Sequence, residues 1–366
     1  MLVYFIGAVI FFVSSFLEIN KVKWTANYHL GKQAVATLGC FFLIIMLGLR
    51  WETATDWNAY YTFFNQQEGV DFFEPNDEFE IGYVYFTRLI HILSSNYSIF
   101  LIVHAVLFLS LLYYSYQNLV TEYFILAITM YFAIYIGMTG SNRQLLAIAI
   151  GLLAIVQLIK KRHLLFFLLV ALAFTFHTTA ILLLFFLFFT KKIPWWLWTI
   201  AILLSVVFGL SELPNKIFGM AGMLGEAASG KVEFYQGGDQ IEGSIFGILK
   251  RLMLAFIFIF FADRLRQKNE HFDICLNGFL FSVVLFFLFK QLPIMGRANL
   301  YFNVMEPVVM VTIFSILKER VFKNLVLFMY FIIAIFYFKQ SIQMYPDLFL
   351  PYKGIFINQD LIRQDL

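Results

Sequence analysis

Apolar runs of about 15 to 20 residues recur along the whole chain, and this pattern restricts the choice of fold most strongly. A run of this length can cross a bilayer as a helix, because a helix satisfies its own backbone hydrogen bonds where water is absent. Of the 366 residues, 61% are hydrophobic and only 13% are charged, well below the charged share of soluble domains. The alternating pattern of a membrane β-barrel is missing. The sequence therefore predicts an all-α, polytopic integral membrane protein.

Hydropathy predicts about twelve transmembrane helices in one polytopic membrane domain over residues 1–366. The predicted positions are 2–18, 34–49, 97–117, 121–137, 143–159, 163–176, 178–190, 195–211, 245–262, 273–290, 298–316 and 324–341. Several of these runs are short, which is typical of broken or re-entrant helices. The first run has no Lys or Arg before it and no small-residue cleavage site after it, so we expect a retained helix and not a signal peptide.

Basic residues assign the loops to sides, because Lys and Arg accumulate in cytoplasmic loops. If successive helices cross the membrane in opposite directions, five basic clusters fall on the cytoplasmic side. They are Lys21/Lys23/Lys32, Lys160/Lys161/Arg162, Lys191/Lys192, Arg264/Arg266/Lys268 and Lys318/Arg320/Lys323. Both termini are then predicted outside. The outer side also receives an acidic and aromatic loop with an amphipathic helix at 50–96, and a Gly-rich, mobile loop at 212–244.

Four ionisable residues at helix ends also fall on the outer side: Arg50, Arg143, His177 and Arg297. Each arginine alone could extend to the lipid headgroups, and the histidine alone could be a packing residue. Their joint position against the positive-inside bias favours one shared site, since charges near a membrane usually mark function. Guanidinium groups and helix N-termini match phosphate oxygens, so the predicted ligand is a lipid-linked phosphate or diphosphate.

The outer loop at 50–96 begins with the stretch RWETATDWNAYYTFFNQQ, in which aromatic rings alternate with carboxylates and amides. A membrane-interface belt accounts for part of this composition. The combination also suits stacking on sugar rings and hydrogen bonding to sugar hydroxyls. Carbohydrate recognition is therefore one prediction for this loop.

The sequence lacks the metal motifs HExxH and CxxC, the hydrolase motif GxSxG and the nucleotide-binding Walker A pattern. Cys40 and Cys275 both lie in apolar runs, so neither a disulfide framework nor a zinc site is expected. We predict no cofactor, no metal and no nucleic-acid partner.

Five segments occur in order over residues 48–302: GLRWETATDWNAYYTFF, FEIGYVYFTRLI, GSNRQLLAIAIGLLAI, ALAFTFHTTAILL and GRANLYF. Together they resemble the EpsG/Wzy-type family of bacterial polysaccharide polymerases. The resemblance implies an enzyme of the bacterial inner membrane that joins exopolysaccharide or O-antigen repeat units carried on undecaprenyl diphosphate, with its site facing the periplasm or exterior. It is compatible with a GT-C-like fold and with a chain-length regulator as partner. The segment GMTGSN before Arg143 is expected to vary within the family, so sugar specificity is not implied.

The matching positions in this sequence are Arg50, Asp56, Tyr60, Glu80, Gly82, Tyr83, Arg143, Gln144, His177 and Arg297. We expect Arg143 and Arg297, with or without Arg50, to hold the diphosphate. The predicted general bases are His177 first, then Asp56 or Glu80. The predicted sugar-binding residues are Trp57, Tyr60, Tyr83 and Gln144.

Three other classes of protein remain open at this point. An O-antigen ligase, which moves glycan to the lipid A core, uses the same donor and could carry the same arginines. A polysaccharide or lipid-linked oligosaccharide transporter would show internal repeats and polar residues at mid-membrane depth. A membrane acyltransferase would place its histidine toward a cytoplasmic thioester, whereas His177 is predicted outside. We predict a polysaccharide polymerase, with the ligase and the transporter as alternatives.

Overall fold

The structure is a computed structural model that describes residues 2–21, 28–120, 122–212, 214, 216, 245–290 and 292–363. The chain divides into two compact units. One comprises Met1–Ile181 and Val311–Leu366, and the other comprises Leu182–Met310. The prediction of a single domain stays a prediction. Most of the predicted outer loop at 212–244 lies outside the described residues.

Helices account for the regular structure of the described residues. The α-helices are α1 Leu2–Ile19, α2 Tyr28–Gly48, α3 Trp57–Asn65, α4 Ile81–Leu93, α5 Tyr97–Leu119, α6 Phe124–Tyr135, α7 Asn142–Ile159, α8 His163–Phe176, α9 Phe186–Phe189, α10 Trp195–Gly209, α11 Ile245–Phe260, α12 Ala262–Arg266, α13 Phe272–Leu288, α14 Pro293–Asn303, α15 Met305–Thr312 and α16 Arg320–Ser341. Short 3₁₀ helices cover Ile136–Met138, Thr178–Phe185, Ile313–Ser315 and Pro346–Leu348.

Five of the described helices are long and apolar enough to cross a membrane: α1, most of α2, α5, α7 and α16. Each of the other predicted runs also contains helical residues, but in shorter pieces. The prediction of an all-helical fold is therefore confirmed for the described residues, and the five long helices are compatible with a membrane protein. The count of twelve spans, the side on which the termini lie and the GT-C-like fold stay predictions.

The prediction of one continuous helix over 298–316 is wrong. The structure begins it at Pro293 and interrupts it at Val304, between α14 and α15. Pro307 explains the break, because a proline lacks the backbone N–H and its ring clashes with the carbonyl four residues earlier, here Asn303. The predicted boundary at His177 is confirmed, since α8 ends at Phe176 and a 3₁₀ helix follows.

Helix α7 forms the centre of the first unit. It packs against α5 and α8, and 83% of its residues are buried. By contrast, only 11% of the apolar window of α16 is buried. A mainly apolar but exposed helix suits contact with lipid.

One end of the first unit, which we call the basic end, is held by a buried ion pair. The Lys32 ammonium lies 3.0 Å from the Glu18 carboxylate, and both side chains are less than 10% exposed. Glu18 also accepts hydrogen bonds from the backbone N–H groups of Ile125 and Leu126 at the start of α6. A carboxylate at a helix N-terminus stabilises unsatisfied N–H groups. This contact ties α1, α2 and α6 together.

The opposite end, which we call the site end, is crossed by the C-terminal segment 342–363. Gly354 forms an antiparallel bridge with Arg50, and the N–H of Trp51 donates to the Lys353 carbonyl at 3.0 Å. The Tyr352 ring meets the Tyr4 ring edge-on at the start of α1. Residues near both chain termini therefore lie at the same end as Arg50.

The second unit is organised around α13. Asn277 donates to the carbonyls of Phe189 and Lys191 and accepts a 3.0 Å hydrogen bond from the Trp198 indole, so it links α9, α10 and α13. A buried ion pair joins α11 to α15, with the Lys250 ammonium 3.0 Å from the Glu306 carboxylate. These contacts satisfy polar groups inside an otherwise apolar bundle.

Candidate functional site at the N-terminus of α7

Three segments that are far apart in sequence meet at the site end of the first unit. They are the start of α3, the start of α4 and the first turn of α7. Arg143 is the central residue, because it contacts side chains from both other segments. The site thus combines two predicted motifs, the aromatic and acidic loop and the GSNRQ turn.

The Arg143 guanidinium has three neighbours. Its Nε donates to the Tyr60 hydroxyl at 3.2 Å, its Nη1 pairs with the Glu80 carboxylate, and its Cζ lies 4.6 Å from the centre of the Phe79 ring. The Arg143 side chain is still 24% exposed and that of Glu80 18%. Among the described residues, Nη2 has no hydrogen-bond partner, so this edge of the guanidinium can receive an anion.

The predicted carboxylate Asp56 lies beside the same turn. Asp56 directly precedes α3, and the Ser141 hydroxyl lies 3.4 Å from its Oδ2, while the Thr55 hydroxyl donates to its Oδ1 at 3.0 Å. Asp56 is half-buried. The structure therefore brings Asp56, Glu80 and Arg143 to one end of the first unit.

The predicted sugar-binding residues are all buried: Trp57, Tyr60, Tyr83 and Gln144. Trp57 stacks on Tyr61 at a centroid distance of 4.8 Å, and the Tyr83 ring is fully enclosed. Burial raises the pKa of the Tyr60 hydroxyl, so this group keeps its proton and can donate as well as accept. Their role in sugar binding stays a prediction.

Arg50 is buried, with 3% exposure. It donates to the Leu47 carbonyl at 2.5 Å and to the Asn142 side-chain oxygen at 2.6 Å. Burial lowers the pKa of Arg50, but the guanidinium group is basic enough to stay charged. Its predicted contact with a diphosphate stays a prediction, and its hydrogen bonds in the structure go to protein groups.

His177 is half-buried and caps the end of α8. Its Nδ1 lies 2.6 Å from the Thr179 hydroxyl. Two residues earlier, Thr175 packs against Gly82 so closely that a Cβ at Gly82 would overlap its Oγ1. The end of α8 therefore meets the start of α4, and His177 reaches the same end of the unit as Glu80.

Arg297, the third predicted diphosphate ligand, belongs to the second unit. It lies on α14 and is exposed. Its joint action with Arg143 stays a prediction.

Arg88 is a site-end residue that the sequence analysis missed. It is buried on α4 and donates to the Gln67 side chain at 2.9 Å. Its Nη1 also donates to the carbonyls of Phe72 and Glu74, at 2.9 Å and 2.7 Å. Arg88 thus holds the loop between α3 and α4 in place, and Glu80 lies at the end of this loop. An arginine within the apolar segment FEIGYVYFTRLI was the available signal.

Comparison with known proteins gives one match. No curated protein and no solved structure matches the chain. A family model described as the EpsG family matches residues 34–354, which include every predicted site residue. Because this match covers most of the sequence, the chain belongs to the EpsG family.

Proposed function

We propose that this protein is a polysaccharide polymerase that transfers a growing glycan from undecaprenyl diphosphate to the non-reducing end of a lipid-linked repeat unit. The reaction would take place at the outer face of the bacterial inner membrane. Membership of the EpsG family supports the polymerase role, and the apolar helices support a multi-pass membrane location. The donor, the acceptor and the side are part of the proposal.

The observation that carries the proposal is the partly exposed Arg143 at the first turn of α7. Glu80 and Tyr60 orient its guanidinium, and the helix N-terminus adds positive potential at the same place. A diphosphate carries its charge on oxygens that a guanidinium fork fits. Arg143 is therefore our proposed diphosphate ligand. Arg297 is proposed as a second ligand from its sequence motif alone.

In the proposed reaction, the bond between the anomeric carbon and the diphosphate oxygen breaks. A new bond forms between that carbon and the acceptor hydroxyl oxygen. Arginine stabilises the negative charge that develops on the leaving diphosphate, as preorganised donors do at other developing anions. The lipid diphosphate supplies the driving force.

The acceptor proton needs a base. His177 is our first choice, and Asp56 and Glu80 are the next. The close contact between Gly82 and Thr175 supports this set, because it brings the end of α8 to the element that follows Glu80. The proton of the acceptor hydroxyl moves to the base, and undecaprenyl diphosphate leaves from the anomeric carbon as the leaving group.

Glu80 has a second role in this proposal. Its pair with Arg143 is partly exposed, so an incoming diphosphate can reach the guanidinium. In the proposed reaction the diphosphate replaces Glu80 there. Glu80 then becomes available to the acceptor hydroxyl.

The test is the surface glycan of a deletion strain, analysed as a ladder of chain lengths. A polymerase deletion should abolish the ladder and retain glycans of one repeat unit, and the intact gene should restore the ladder. Loss of all glycan from the lipid A core, with polymer still on undecaprenyl diphosphate, would instead indicate a ligase. An unchanged ladder would contradict the proposal.

A further inference from the structure

The first residue of α7, Asn142, is held from two sides by buried polar groups. The Arg50 Nη2 donates to its side-chain oxygen at 2.6 Å, and the His104 Nε2 lies 2.9 Å from its backbone carbonyl. All three residues are at most 3% exposed. Asn142 directly precedes Arg143, so these contacts set the position of the residue that carries the site.

Arg50 is itself fixed at both its side chain and its backbone. Its Nη1 donates to the Leu47 carbonyl, and its backbone pairs with Gly354 in the C-terminal segment. A Cβ at Gly354 would lie 2.9 Å from the Leu49 carbonyl, so glycine permits this close approach. Arg50 is therefore a fixed point and not a mobile side chain.

The turn that precedes Asn142 is also tightly packed. The N–H of Gly137 donates to the Ser341 hydroxyl at 2.7 Å. A Cβ at Gly140 would overlap the Cβ of Ala54, and Ala54 has a φ of 70°, a conformation that costs a non-glycine residue about 1–2 kcal/mol. Strain of this kind persists only where the surroundings impose it. These contacts therefore fix the position of the turn.

Two buried nitrogen atoms in this cluster, the Arg50 Nε and the His104 Nδ1, have no hydrogen-bond partner among the described residues. Each such group costs about 1–3 kcal/mol. The cluster therefore carries polar groups that lower stability, and stability alone does not account for it.

We propose that Arg50 is a positioning residue, which acts through Asn142 to hold the first turn of α7 and the Arg143 guanidinium in their binding geometry. This inference rests on the proposed function, because it assumes that Arg143 binds a diphosphate. It assigns Arg50 no contact with that ligand. Its chemical role is to fix the direction from which Arg143 meets the phosphate oxygens.

The test measures the affinity of the purified full-length protein for undecaprenyl diphosphate in a set of variants. Arg50→Gln and Asn142→Ala should each weaken binding about ten- to a hundredfold, which is the worth of one hydrogen bond to a charged group. The double variant should bind no more weakly than the single variant with the lower affinity, because both changes release the same turn.

The decisive comparison is in an Arg143→Gln background. A positioning residue has nothing left to position there, so Arg50→Gln should cause no further loss of affinity. A further tenfold loss would show that Arg50 contacts the diphosphate directly and would overturn the inference. Wild-type affinity of Asn142→Ala would overturn it as well.

Folding and the proposed function are separated by controls. Size-exclusion profiles and protein abundance report folding, and Arg50→Lys together with Asn142→Ala carries the test if Arg50→Gln does not fold. Arg50→Lys retains the charge but not the fork, so it should weaken binding and, like Arg50→Gln, add nothing in the Arg143→Gln background.

If Arg143→Gln binds the lipid diphosphate as tightly as the unchanged protein does, the proposed function fails. If Arg143 is required and Arg50 adds its own loss, only the positioning role fails.

Discussion

At the scale of single residues, burial separates the three predicted arginines. Arg143 is partly exposed and meets Glu80, whereas Arg50 is enclosed and meets Asn142. Arg297 is exposed in the other unit. A guanidinium can bind a ligand only where one of its edges is accessible, so we expect different roles for Arg50 and Arg143, although both stand at helix ends in the sequence.

His177 can be tested by a pair of substitutions. If it is the base, His177→Ala and His177→Gln should both lower turnover about 10²- to 10⁴-fold, while binding of the lipid diphosphate is retained. Gln preserves a hydrogen bond to Thr179 but cannot take the proton. Turnover of purified variants with the lipid-linked repeat unit extracted from the deletion strain is the measurement.

The matched control is Thr179→Val, which removes the hydroxyl 2.6 Å from the His177 Nδ1 but keeps the ring. It should lower turnover far less than either histidine variant. Near wild-type turnover by His177→Gln would remove the histidine from the base role and leave Asp56 or Glu80.

At the scale of elements, the contact between α4 and α8 has no room for a side chain at Gly82. A Cβ there would overlap the Thr175 Oγ1 and lie 2.8 Å from the Thr175 carbonyl oxygen. We expect Gly82→Ala to push the start of α4 away from the end of α8 and to lower polymer length. Thr175→Ala should rescue it only in part, because the carbonyl remains.

Gly247→Ala is the control for this change. Within 4 Å a Cβ at Gly247 meets only the flexible end of the Arg251 side chain, at 3.4 Å, and alanine favours a helix over glycine. A wild-type glycan ladder from both Gly82→Ala and Gly247→Ala would show that the α4–α8 contact does not matter to activity.

The Lys250–Glu306 pair joins α11 to α15 inside the second unit. Replacing one partner of a buried pair usually costs about 3–5 kcal/mol, whereas replacing both with apolar groups is often neutral. Glu306→Gln should therefore lower the unfolding temperature in detergent, and Lys250→Met/Glu306→Leu should recover most of it.

The exposed pair of Lys192 and Asp263 provides the comparison. Lys192→Met should leave the unfolding temperature unchanged, because solvent-exposed pairs contribute little. Equal unfolding temperatures for Glu306→Gln and the unchanged protein would contradict the account of the buried pair.

Sequence patterns predicted the elements better than their contacts. Hydropathy located the long helices, and the boundary at His177 was visible as a polar residue between apolar runs. The break at Val304 was missed although Pro307 signalled it. The pair of Arg143 with Glu80 joins residues 63 positions apart, and no local pattern specifies such a partner. The burial of Arg50 depends on the C-terminal segment, which the sequence analysis left unassigned.

At the scale of the whole molecule, the two named ends of the first unit carry different ion pairs. The Lys32–Glu18 pair lies at the basic end, and the Arg143–Glu80 pair lies at the site end. The side of the membrane on which each end lies is a prediction from the basic loops and needs a direct measurement.

Labelling of intact cells with a membrane-impermeant maleimide gives that measurement. Cys40 and Cys275 are first replaced in a protein that stays active, and one new cysteine is then introduced at a time. Glu68→Cys and Asn358→Cys, at exposed positions of the site end, should be labelled. Lys161→Cys and Lys192→Cys should be labelled only after the membrane is opened. The reverse pattern would place the site in the cytoplasm.

The most direct test of the central claim is the turnover of purified Arg143→Lys with the lipid-linked repeat unit. Lysine keeps the charge but loses the fork that matches phosphate oxygens, so kcat/KM should fall about ten- to a hundredfold at normal protein abundance. Arg162→Lys, the same change at an exposed arginine beyond the other end of α7, should retain wild-type turnover. Wild-type turnover by Arg143→Lys would contradict the claim that Arg143 recognises the diphosphate.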